Sequence, residues 1–346
     1  MTEALADVTE GSPVVSLTTA GDPRHVRLAL ARRRQHRVAA GLGTLALIPL
    51  AMVPDIVAND YQLRVATFAV MYMGLATSWN LFSGFTGYPS FGHAAFFGLG
   101  AYTAGIGTAR YGMPIWVALG AAFFLVALFA LAMGLLTLRL KGHYFAVATL
   151  GIAEAIQAIV NWGKSYTKGT FGFALPLSAT GVSYATQYRV MLGCFAAVVA
   201  LTVTILWSRL GARLLAVRED EMATESLGVN AGLVKIVTLG LSGALTGLFG
   251  AVFAWVLGFL TPDSVFAARI GLEMVVMTIV GGMGTVLGPI LGGLGFYLLP
   301  EILIGDRNEM YLVWIGGLLV VTVLFLRRGV IGTLQHSRFW PRGLRL

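Results

Sequence analysis

Three ionisable side chains lie inside long apolar runs of this chain: His93 in "SFGHAAFFGLG", Glu154 in "LGIAEAIQAIV" and Glu273 in "GLEMVVMTIV". A charge at bilayer depth costs several kcal/mol unless it is paired or faces water, so each is either a buried hydrogen-bonding group or part of a polar route through lipid. His93 is flanked by Ser90, Gly92 and Gly98, where backbones can approach closely. Its two readings are a neutral imidazole bonded between helices and a side chain lining a translocation path. The same two readings stand for Glu154 and Glu273. A different chemistry is written in "AVREDEMATESLGVN", Ala216 to Asn230, which packs three consecutive acids into a protein that is 12% charged. Mixed charge interleaved with small residues is chemistry of recognition.

Other signals fail on inspection. "WGKSY" carries Gly163-Lys164-Ser165, the tail of a phosphate-binding loop, but the glycine required five residues earlier is Ala158. "GLGAYTAG" and "GGLGFY" imitate a dinucleotide fingerprint with no strand before them, so close helix packing explains their glycines better. The single cysteine, Cys194, excludes a disulfide framework. A membrane-embedded enzyme would want clustered ligands, and of five His only His93 falls mid-span.

The elements that must position these residues are set by composition. Hydrophobic residues make up 57% of 346 positions and the mean hydropathy is +0.80, well above an ordinary soluble domain. Apolar stretches recur at the length of a membrane-crossing helix, not as the alternating ten-residue segments of a barrel. The expectation is an all-α polytopic bundle of about ten helices (eight to ten), over 38–57, 65–83, 89–109, 114–137, 144–162, 190–208, 234–259, 268–283, 285–305 and 310–326. The polar-then-basic segment 1–37 and the basic segment 327–346 then flank a transmembrane domain over 38–326. With the N-terminus cytoplasmic, inside segments hold 17 of the 24 Lys and Arg, which favours this orientation by the positive-inside rule. The net charge of +8 is thereby assigned to the membrane surface and not to nucleic acid.

Two glycine-dense stretches, Thr86 to Tyr102 and Met283 to Tyr297, share a spacing that suggests broken or re-entrant helices and an internal repeat. Between the sixth and seventh spans, Ala212, Leu215, Ala216, Glu219, Met222, Ala223, Ser226 and Leu227 fall on one helical face. A single amphipathic helix is expected from Leu210 to Leu227, stopped at Gly228. Its acids disfavour an anionic lipid surface, which leaves a solvated connector or a docking element for a cytoplasmic protein.

Five stretches read together then carry a resemblance: "WNLFSGFTGYPSFGHAAFFGLGAYTAG", "LRLKGHYFAVATLGIAEAI", "LGARLLAVREDEMATESLGVN", "GFLTPDSV" and "EMVVMTIVGGMGTVLGPILGG". In order and spacing, from about Arg64 to Leu326, they resemble the LivM-type permeases of branched-chain amino acid ABC importers. The resemblance implies a multi-pass subunit of the bacterial cytoplasmic membrane with both termini inside. It implies two ABC ATPase subunits, a second homologous permease and an extracytoplasmic substrate-binding protein as partners. No cofactor would be bound by this chain, and ATP and Mg would sit in the ATPases. The acidic stretch would be the coupling helix, with Arg213, Arg218, Glu219, Asp220, Glu221, Ala223, Leu227 and Gly228 as its ATPase-coupling set. Ser90, Gly92, His93, Glu154, Glu273, Gly282, Gly284 and Pro289 are the candidates for the translocation pathway. A permease for sugars, urea or amides is the alternative, and an ion-coupled secondary transporter a more distant one. The loop about Gly163 to Arg189 would receive the binding protein, although "YTKGTFGF" departs from the Gly-Gly-Pro-like turn usual there.

Overall fold

A computed structural model describes residues 59–140, 142–176 and 182–303, together with 50, 54, 316 and 317. The expected spans 38–57 and 310–326 lie almost wholly outside the described residues. Each of the other eight expected spans is a helix: α1 Asp60–Trp79, α2 His93–Tyr111, α3 Ile115–Thr137, α4 His143–Trp162, α5 Tyr184–Trp207, α8 Ala231–Leu257, α9 Ala268–Gly281 and α10 Leu287–Leu303. Between α5 and α8 come α6 Arg209–Glu219 and α7 Glu221–Ser226. Among the described residues, six helices are long and apolar enough to cross a membrane. α2 is not among them, because His, Thr, Arg and many glycines dilute its hydropathy; its place is inside the bundle.

The centre of the bundle is α1, α2 and α8. In the most apolar stretches of α1 and α8, 78% and 72% of residues are buried, against 28% in α3 and in α4. Hydrophobicity does not drive helices together in lipid, so the centre must be held by close contact and hydrogen bonds. Glycines supply the first: a methyl group on Gly100 of α2 would lie 1.9 Å from the Gly247 carbonyl oxygen of α8, and one on Gly250 would lie 1.9 Å from the Phe97 carbonyl. α3 packs on α8 along one edge and presents Phe124, Leu128 and Leu136, all at least 70% exposed, on the other. That is a lipid-facing surface.

The two ends of the bundle differ. One carries α6 and α7. At the other, Lys164–Thr167 and Pro262–Val265 form single helical turns, and β1 Phe173–Ala174 pairs antiparallel with β2 Phe259–Leu260. The departing sequence "YTKGTFGF" is folded by three left-handed residues, Lys168, Gly169 and Gly172. A methyl group on Gly172 would sit 2.2 Å from the Leu260 carbonyl oxygen, so the ribbon needs glycine there.

Candidate functional site

The acidic stretch is not the single helix expected. It breaks at Asp220, whose extended backbone (φ −154°, ψ 109°) ends α6 and caps α7 by accepting from the Ala223 amide at 3.0 Å. Capping is the physical reason: an aspartate satisfies a helix N-terminus better than it continues a helix. The stop at Gly228 holds, with φ 82°. Most of the amphipathic face read from the sequence is turned outward. Gly211, Leu214, Val217 and Thr224 turn inward, while Ala212, Ala216, Met222, Ala223 and Leu227 face out. Met222 is 72% exposed and Leu227 85% exposed, two large apolar side chains beside Arg213, Arg218, Glu219, Asp220 and Glu225, which are also exposed.

Glu221 departs from the rest of its set by turning in. Its Oε1 accepts from Lys235 Nζ of α8 at 2.6 Å and its Oε2 from the Tyr88 hydroxyl at 2.5 Å. Lys235 is 2% exposed and its ammonium also lies 4.3 Å from the centre of the Tyr88 ring. Burial, and then the carboxylate it bonds, hold the Tyr88 phenol above its usual pKa, so it remains a donor.

Beside this cluster, α9 ends at a turn. Gly282 (φ 126°) and Gly284 (φ 80°) take conformations that side-chain-bearing residues rarely adopt. The buried Asn80, in a π-helical turn that widens the end of α1 over Asn80–Gly84, holds the turn from both sides. Its Nδ2 donates to the Thr285 carbonyl and its Oδ1 accepts from the Gly284 amide, both at 2.8 Å. The Arg218 side chain of α6 lies over the same turn: a methyl group on Gly284 would fall 2.1 Å from its Nη1. Asn80 was missed in the sequence because a lone amide in an apolar run gives no sign of its partner.

Most of the intramembrane candidates are sealed. His93 opens α2 and is fully buried, with Nδ1 3.1 Å from Ser90 Oγ and Nε2 2.8 Å from Ser242 Oγ of α8. Ser242 donates its own proton to the Ser78 carbonyl at 2.6 Å, so Nε2 carries the imidazole proton and Nδ1 accepts from Ser90. Of the two readings for His93, the interhelical one matches this geometry. Gly92 lets α2 start against α3 and α4, since a methyl group there would meet Met133 Cε at 3.1 Å and Thr149 Cβ at 3.3 Å. Glu273 is 1% exposed; Arg269 Nη1 donates to its Oε1 at 2.9 Å and the Tyr72 hydroxyl to its Oε2 at 3.2 Å.

In the second glycine-dense stretch the glycines stand against neighbouring backbone. Methyl groups on Gly281, Gly292 and Gly293 would lie 1.8 Å from the Gly288 oxygen, 2.0 Å from the Met277 oxygen and 2.7 Å from the Tyr72 oxygen. Pro289 falls in the first turn of α10, where its missing N–H removes no helical bond.

Glu154 is the exception. It is exposed on α4 together with Gly151, Ala155 and Ala158, about 17 Å along the helix from His143 at 1.5 Å per residue. A methyl group on Gly151 would meet nothing within 4 Å. A mid-helix acid is costly in hydrocarbon, so although Val147 and Ile159 are also exposed on α4, the part of the face that carries Glu154 calls for water or another protein beside it.

Residues 61–323 match the family described as "Branched-chain amino acid transport system / permease component". The chain is 28% identical to the high-affinity branched-chain amino acid transport system permease protein LivM of Escherichia coli K12, over 83% of this chain and 74% of that one. It is 24% identical to LivH, a permease of the same kind of system, of Salmonella typhimurium LT2, over 77% and 92%. It is 29% identical to the autoinducer 2 import system permease LsrC of Salmonella paratyphi B, over 48% and 47%. The family match covers most of the chain, which therefore belongs to the permease components of branched-chain amino acid transport systems and is a transport subunit.

Proposed function

We propose that this chain is one of two related permease subunits of an ATP-driven importer in the bacterial cytoplasmic membrane, carrying branched-chain or similarly hydrophobic amino acids. Of the importer's two ABC ATPases one docks on α6 and α7 of this chain, an extracytoplasmic binding protein delivers cargo at the end bearing β1 and β2, and ATP and Mg are held by the ATPases alone. The segments 1–37 and 327–346 lie on the ATPase side, in keeping with their basic residues.

The observation that carries this reading is the exposure of Met222 and Leu227 on a short segment otherwise ringed by charge. Apolar anchors inside a charged rim are the pattern of a protein-binding surface. Arg218, Glu219 and Asp220 supply the rim, and Gly228 fixes the exit. Met222→Asp with Leu227→Asp is expected to abolish co-purification of the ATPases while leaving the permease folded in the membrane. Undiminished ATPase attachment would remove the docking assignment.

Glu154 is proposed to line the route between the two permeases. Ser90, Gly92, His93 and Glu273 would act behind it, fixing the helices that shape the route, and Gly282, Gly284 and Pro289 would fix the turn next to the docking surface. The relationship to LsrC favours a second reading in which the scaffold carries another small solute. The ligand captured by the cognate binding protein decides between them. Uptake into vesicles that persists without ATP would favour ion coupling instead.

A further inference from the structure

α7 is six residues long and buries only Thr224 within its own span. A lever so short can transmit movement only if its side chains tie it to the membrane helices. Glu221, its first residue, spends both carboxylate oxygens on that task, one on Lys235 of α8 and one on Tyr88 of the loop before α2. The ammonium and the phenol also meet each other, face-on at 4.3 Å. An ammonium that is 2% exposed is tolerated only while its counter-charge stays in place, because loss of one partner leaves a desolvated charge unpaired. The three groups therefore hold together or separate together.

The contact does not end at Tyr88. Its ring meets Phe145, in the first turn of α4, edge-on at 5.8 Å, and Phe145 meets Phe82 of the π-helical turn at 5.9 Å. α4 is the helix whose open face carries Glu154. We propose that the Glu221–Lys235–Tyr88 knot is the joint that delivers movement of α7 to α8 and α4, with Lys235 and Tyr88 as positioning residues for transport. This inference rests on reading α6 and α7 as the ATPase docking segment.

The test uses the complete importer, with both permeases, the ATPases and the loaded binding protein, reconstituted in liposomes. Lys235→Met is expected to keep ATPase attachment and basal hydrolysis while uptake per ATP hydrolysed falls about tenfold, within the range of coupling between distant sites. Lys235→Arg, which keeps the cation, is expected to recover most of it. Tyr88→Phe keeps the ring and removes only the hydroxyl, and is expected to lower the same ratio to a smaller extent; it decides the matter if Lys235→Met fails to assemble. Wild-type uptake per ATP in an assembled Lys235→Met importer, or in Tyr88→Phe where that variant decides, would overturn the joint. A wild-type chain to which no ATPase attaches would instead overturn the docking reading on which the joint depends.

Discussion

His93 can hold its proton on one nitrogen only. Ser242 is already committed as donor to the Ser78 carbonyl, so its oxygen must accept from Nε2. That chain of hydrogen bonds joins α1, α2 and α8 at a level where no water is at hand to replace a lost partner. Ser242→Ala leaves the imidazole N–H unpaired and is expected to cost about 1–3 kcal/mol, read as a lower unfolding temperature in detergent with uptake per ATP unchanged. A drop in uptake per ATP at unchanged stability would instead place His93 in the transport path. The sequence showed that His93, Glu154 and Glu273 needed special surroundings. Nothing in it separated Glu273, which finds Arg269 one helical turn away and Tyr72 on α1, from Glu154, which is exposed.

At the scale of the helix, glycine has two different meanings that composition cannot tell apart. Gly250 of α8 stands against the backbone of Phe97, whereas Gly120 of α3 has nothing within 4 Å of where a side chain would begin. Gly250→Leu is expected to prevent α2 and α8 from meeting, with loss of folded protein from the membrane, while Gly120→Leu accumulates normally. Equal accumulation of the two variants, measured by fluorescence size-exclusion of the solubilised protein, would contradict the contact. The period of the apolar residues located eight of the helices to within six residues at either end. It misjudged the linking segment, because a helical periodicity runs unbroken through Asp220 although the aspartate is better used as a cap than as an interior residue.

The molecule as a whole presents two kinds of surface to its surroundings. α3 shows Phe124, Leu128 and Leu136, an apolar surface suited to lipid, and α4 shows Gly151, Glu154, Ala155 and Ala158 among exposed apolar residues such as Val147 and Ile159. In the assembled importer a cysteine at Glu154 is expected to react with a membrane-impermeant, charged thiol reagent, and one at Leu128 is not. The sole native cysteine is buried, and its burial pushes the count of competing reactive thiols toward none. Failure of both engineered positions to react would show that α4 faces lipid or a dry contact and not an aqueous route.

Composition and hydropathy period alone determined that this chain lives in a bilayer as a helical bundle, since about 20 apolar residues in a row have few other stable solutions in water or lipid. Local chemistry also set the acidic stretch apart from the apolar helices. What only the tertiary structure decided is which polar groups meet. Asn80 reaches Thr285, Glu221 reaches Lys235 and Tyr88, and His93 reaches Ser242. Pairings between residues far apart in the chain depend on how helices are rotated and how closely they approach. In a membrane that is governed by backbone contacts at glycine and by hydrogen-bond completion, neither of which leaves a periodic trace in the sequence.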